Sequence, residues 1–90
     1  MFIALACDFG NEDTRIKADR VLQEYGFRKV QRNLYETNTL NDKNLARLKL
    51  ELDKLTDHYD SLRFYQYPVE DTLVVTSLEE KRWKRMLLKT

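Results

Sequence analysis

The stretch Phe2-Ile3-Ala4-Leu5-Ala6-Cys7-Asp8, followed by Phe9-Gly10-Asn11, decides how the rest of the chain is read. Its apolar residues are continuous rather than alternating and too few for an ordinary helix, the pattern of a short central strand buried on both faces of a sheet. The run breaks at a carboxylate. The loop after it can start a helix capped by Asn11 or Asp13, with Glu12 and Asp13 complementing the positive helix end. Thr14, Ala18, Val21, Leu22 and Tyr25 then recur as one helical stripe, and Gly26 stands where a left-handed cap ends such a helix. Strand, loop and helix form the first half of a crossover unit. Ile16 falls opposite the stripe with Lys17 and Arg20, outward and free to lie under a partner.

Working outward, Phe27 to Thr37 is strand-like, and its composition leaves open one long strand or a tight hairpin broken near Gln31 to Asn33. Thr39 or Asn41 can cap a second helix, in which Leu45, Leu48, Leu52 and Leu55 repeat at helical spacing while charged residues fill the other faces. Four leucines over so short a span mark a helix packed on a sheet rather than a coiled coil. Asp57 to Ser61 reads as a loop. Leu62 to Tyr67 is an aromatic-rich strand stopped by Pro68, Glu70 and Asp71 turn the chain, and Thr72 to Ser77 is a further β-branched strand. Leu78 to Thr90 fits an amphipathic helix as readily as a packed tail. The order predicts an α+β fold: a ferredoxin-like βαββαβ sandwich, an antiparallel sheet with two helices on one face, plus a C-terminal strand or tail. Residues 1–77 form the domain, and 78–90 a basic segment packing on the core or on a partner subunit. The other sheet face is left uncovered, and in so small a chain a second copy is expected to hide it.

Composition narrows the function. Ninety residues make one domain, and 42% hydrophobic with 34% charged residues is globular rather than disordered. A single cysteine cannot form an internal disulfide, so a cytoplasmic setting is expected. No apolar run is long enough to span a bilayer, and Phe2 to Cys7 lacks the basic flank and cleavage site of a signal peptide. The net charge is +1, so the whole molecule is no electrostatic sink for nucleic acid, yet Lys81, Arg82, Lys84, Arg85 and Lys89 crowd the last ten residues without an acid. Such a tail can touch phosphate, or simply remain solvated.

There is no Walker loop, dinucleotide fingerprint, Cys/His metal set or nucleophile elbow. His58 is the only histidine, with no second ligand or base beside it in sequence, and reads as exposed; Cys7 reads as core. Asp8 is different. It ends an apolar strand at the carboxyl edge of the sheet, where α/β folds place functional groups, although one carboxylate can equally cap the turn that follows. Mg²⁺ takes one or two carboxylates and keeps several waters, so two copies of Asp8 across a dimer axis would suffice.

The order of Ala6-Cys7-Asp8, then Arg15 and Lys17, then Tyr25-Gly26, then Val30-Gln31 and Asn33 to Glu36, and finally Asp60 to Tyr65, resembles the small adaptation protein of CRISPR systems, CRISPR-associated protein family two, from residue 2 to about 77. Three positions depart from that pattern. Cys7 replaces an aromatic, Asn33 a serine and Tyr35 a phenylalanine, and the first two bear on nuclease competence rather than on fold. The resemblance implies a ferredoxin-like homodimer with two Asp8 carboxylates near the twofold axis able to hold Mg²⁺, a hairpin within residues 27–39, and a C-terminal segment packed on the partner subunit. It further implies a role in spacer acquisition, bridging CRISPR integrase dimers and holding double-stranded DNA; several members are described as metal-dependent nucleases acting on RNA or DNA. Arg15, Lys17, Arg28, Lys29 and Arg32 are the candidate phosphate contacts, and Asp8 the candidate catalytic and metal-binding residue. The alternatives are a toxin-like endoribonuclease of the virulence-associated group, or a ferredoxin-like ligand-binding module. No membrane partner is expected.

Overall fold

In the computed structural model, residues 1–89 are described. They form β1 (Phe2–Asp8), α1 (Glu12–Glu24), β2 (Arg28–Gln31), β3 (Leu34–Thr37), α2 (Asp42–Leu55), β4 (Ser61–Val69), β5 (Thr72–Glu79) and β6 (Arg82–Lys89). One six-stranded sheet runs in the order β2-β3-β1-β4-β5-β6, with every neighbouring pair antiparallel. The chain is the ferredoxin-like α+β sandwich that the element order predicts, widened by a β5–β6 hairpin at one edge.

Both helices start on asparagine caps. The side chains of Asn11 and Asn41 accept from Thr14 N and Asn44 N, each at 2.8 Å, satisfying one orphan N–H of each first turn. Gly26 closes α1 at φ +89°, a left-handed conformation that a side chain would strain. Ile3, Leu5 and Cys7 of β1, Tyr35 of β3, and Leu62 and Phe64 of β4 pack with Ala18 and Leu22 of α1 and Leu45, Leu48 and Leu52 of α2. Both helices therefore cover the same face of the sheet.

Three expectations are corrected or decided. β1 is central, but only one of its faces is buried: Ala4 and Ala6 are half-exposed, and Phe2 and Asp8 exposed, on the side that no helix reaches. Small alanines in an apolar run imitate two-sided burial. Pro68 does not stop β4, which continues to Val69; the pairing with β5 loses register between Gln66 and Val69, so the proline falls where the ladder is already broken. The segment after Leu78 is a strand. Glu80 and Lys81, at φ 52° and 62°, make the same two-residue positive-φ turn as Glu70 and Asp71 at φ 52° and 61°, the twist that suits a tight hairpin.

Residues 27–39 split into the β2–β3 hairpin at Arg32 and Asn33. Lys81 secures the far turn. Its ammonium donates to the main-chain oxygens of Asp53 and Thr56 at the end of α2 and lies 3.4 Å from the Asp53 carboxylate, to which the Trp83 indole N–H also donates at 3.1 Å. A cation on the last carbonyls of a helix satisfies orphan acceptors and the helix dipole together. No helix among the described residues is long and apolar enough to cross a membrane.

Candidate functional site

Asp8 ends β1 opposite Ser61 and points, with Phe2, Ala4 and Ala6, to the uncovered face. Its carboxylate is exposed, and among the described residues it makes no hydrogen bond or ion pair, so the turn-capping role open from sequence is not the one it fills. It borders a depression of about 350 Å³ that is also lined by Phe9, Gly10, Asn11, Glu12, Arg15, Arg32 and Asn33. A solvent-facing acid between two arginines can take a cation, orient a water, or hold a donor on a ligand.

The basic residues proposed from sequence divide. Arg32 enters the depression because Cys7 N donates to Asn33 O at 3.0 Å, tying the β2–β3 turn to the end of β1. Arg15 also lines it, but Glu12 one turn earlier holds its guanidinium through two contacts, Nε to Oε2 at 2.9 Å and a closer one from Nη2 to Oε1. That contact keeps the exposed Glu12 carboxyl below the usual carboxylate range, with smaller help from Arg32 and Lys29. Lys29 therefore adds to the same positive field. Lys17, two residues from Arg15, faces away from it around the helix and stays outside. Arg28 pairs with Glu36 toward the other end of the sheet and lines a separate hollow with Phe2 and Thr39.

Cys7, one residue before Asp8, points to the helix side and is 7% exposed. Burial holds its thiol up to about 11, so it is a core side chain rather than a nucleophile. His58 is exposed in its loop, as its surroundings in sequence imply.

Two residues that shape the loop beside Asp8 carried no assigned role from sequence. Asp60, 2% exposed, accepts from Gly10 N at 2.7 Å and from Asp57 N at 2.9 Å, so a buried carboxylate fastens the loop after Asp8 to the start of β4. Gly10 permits this approach, because a Cβ there would stand 2.8 Å from that of Tyr59. The available signal was an acid directly preceding an apolar strand. Behind the site, Tyr35 of β3 donates to Asp19 of α1 at 2.5 Å; burial first, and this bond second, raise the phenol well above its usual range.

One chain does not complete a metal site: no cluster of three or more His, Cys, Asp or Glu residues occurs among the described residues. Asp8 supplies one carboxylate, half of the two-carboxylate set that would fit Mg²⁺ across a twofold axis.

Fold and site together define a small ferredoxin-like protein with an open sheet face and a strand-end carboxylate in a depression lined by two acids and two arginines. The family model described as CRISPR associated protein Cas2 matches residues 1–72, four-fifths of the chain, and the chain belongs to that family. Among solved structures, hypothetical protein TT1823 from Thermus thermophilus is similar at 32% identity and TM-score 0.65, over 79% of this chain and 83% of that one. The comparison with curated proteins gives no match.

Proposed function

We propose that this CRISPR-associated protein acts in spacer acquisition as a homodimer that holds double-stranded DNA and bridges integrase dimers. One observation carries the reading: an uncovered sheet face whose centre is paved by Ala4 and Ala6, with the half-exposed Leu34 and Tyr65 beside them and Glu36 and Arg63 as their charged neighbours. Small side chains let a second sheet approach closely, and the surrounding apolar residues supply area to bury. A copy docked there brings both depressions and their cations to one composite surface. Arg32, with Arg15 in part, then contacts phosphates without reading sequence, and Lys29, nearby on the helix-covered side, adds to the attracting field.

The unpaired Asp8 carboxylate favours a second reading, metal-dependent hydrolysis of RNA or DNA at the same dimer axis. Mg²⁺, held by the two Asp8 side chains, would supply a nucleophilic water and neutralise developing charge. Asp8 itself would hold the cation, while Arg32 would hold the phosphate. The chain offers no histidine or lysine base at Asp8 among the residues lining the depression, so the bridge is the main role. Asp8→Asn keeps size and a carbonyl oxygen but removes the charge. In cells with the cognate integrase, spacer acquisition is expected to survive this change, whereas Mg²⁺-dependent cleavage by the purified dimer is expected to disappear. Abolished acquisition with an intact, DNA-binding dimer would overturn the bridge as the sufficient role.

A further inference from the structure

Away from the open face, one register row crosses the helix-covered side of the whole sheet: Lys29, Tyr35, Leu5, Phe64, Thr76 and Arg85. Tyr35, Leu5 and Phe64 lie buried under the helices, and the row emerges at Thr76. There α2 and the β5–β6 hairpin leave a recess of about 360 Å³ whose lining includes Leu45, Ala46, Val69 and Val74, with Lys49, Thr76, Arg85 and the Gln66 amide, which donates to Met1 Sδ, as its donors and Asp42 as its one acid. Thr76 is 7% exposed, yet its hydroxyl has no hydrogen-bond partner, a state that native interiors rarely tolerate. The Lys49 ammonium sits 5.5 Å from the centre of the Phe64 ring, on the strand next to Thr76. Arg85 lies directly opposite Thr76 on the other side. Among the described residues neither cation forms an ion pair, so two positive charges face one acid around an unsatisfied hydroxyl.

We propose that this recess receives the carboxylate of a Glu or Asp side chain from an acidic, apolar-flanked segment of a partner polypeptide, held by Arg85, Lys49 and the Thr76 hydroxyl. A guanidinium and an ammonium flanking a hydroxyl make a three-donor oxyanion site. Burial first, and the nearby Arg85 charge second, hold the Lys49 ammonium below the usual lysine range, a crowding that an incoming anion relieves. The walls select a peptide over nucleic acid. Leu45, Ala46, Val69 and Val74 offer contact to a side-chain stem, and Leu87, 57% exposed beside Val74 on the same side, offers a seat for a neighbouring apolar residue. A sugar-phosphate backbone would leave those walls unmatched. The recess is also distinct from the Asp8 depression, with which it shares no lining residue.

The test is a nitrogen-15 NMR titration of the full chain with acetyl-Leu-Glu-Leu-amide at millimolar concentration, with acetyl-Leu-Gln-Leu-amide, inorganic phosphate and a DNA duplex as comparisons. Saturable shifts at Lys49, Thr76 and Arg85 with the Glu peptide alone are expected. Arg85→Gln should lower its affinity about tenfold, the loss of one charged hydrogen bond. Thr76→Val should lower it several-fold without lowering the melting temperature, because the hydroxyl it removes is unpaired in the free chain. Equal binding of the Glu and Gln peptides, no shifts in the recess, or stronger shifts there with phosphate or duplex than with the Glu peptide would overturn the proposal. A Thr76→Val variant that melts lower and binds the Glu peptide unchanged would also overturn it, showing that the hydroxyl serves the fold.

Discussion

Asp60 is where one side chain decides most. Its carboxylate accepts from both Gly10 N and Asp57 N and has almost no access to water. Asp60→Ala would remove the acceptor of two part-buried main-chain donors and is expected to cost about 2 kcal/mol of stability by urea unfolding, with Asp60→Asn, which keeps an acceptor, costing less. An unchanged midpoint for Asp60→Ala would contradict this. Cys7 gives a pH signature. Its thiol ionises near 9.0 when unfolded and at about 11 when folded, so the native state keeps the proton longer and stability falls as pH rises from 9 towards 11. Tyr35 acts with the same sign at higher pH. Cys7→Ala is therefore expected to flatten the first part of the alkaline decline, and Cys7 in the folded chain to resist iodoacetamide at pH 8 while reacting in urea. Equal alkylation in both states would refute its burial.

Among the elements, the β5–β6 hairpin depends on the end of α2. Lys81→Met leaves the Asp53 and Thr56 carbonyls without their cation and is expected to cost about 1–2 kcal/mol and to speed hydrogen exchange in the last turn of α2. Uniform exchange across α2 would mean that the lysine does not anchor it. The core elements were legible because each carried its own period: the leucines of α2 at helical spacing, the unbroken β1, the asparagine caps. The hairpin at 78–89 was not, because Glu80 and Lys81 are not the Asn, Asp or Gly that usually announce a positive-φ turn, and Trp83, Met86 and Leu87 fit a helix equally well. Of the site, Asp8 and Arg32 were legible from chain order and charge. The engagement of Arg15 by Glu12, the divergence of Lys17, and the part played by Asp60 depend on side-chain directions and long-range contacts that spacing alone does not carry.

For the whole molecule, the open face sets the expectations. Ala6, between Leu34 and Arg63, is half-exposed and has room above it, so Ala6→Arg should leave the melting temperature near the parent value while converting a dimer to a monomer in sedimentation at micromolar concentration. A parent chain that sediments at 10.8 kDa would remove the bridge reading. DNA binding should be independent of sequence, its logarithm falling against log salt by ~0.9 per phosphate neutralised. Replacing Lys29 and Arg32 by Gln should flatten that slope more than replacing Arg15 and Lys17, since Glu12 already occupies Arg15. A steeper loss from the second pair would reverse the assignment. The central position of β1 has one more consequence, in the order of synthesis. Its partners are β3, from residue 34, and β4, from residue 61, so the earliest synthesised of these strands is among the last to be enclosed. Until β4 emerges, Phe2 to Cys7 is a sticky, half-paired ribbon, and a nascent chain stalled before Ser61 is the form of this protein most exposed to misassociation and most in need of a chaperone.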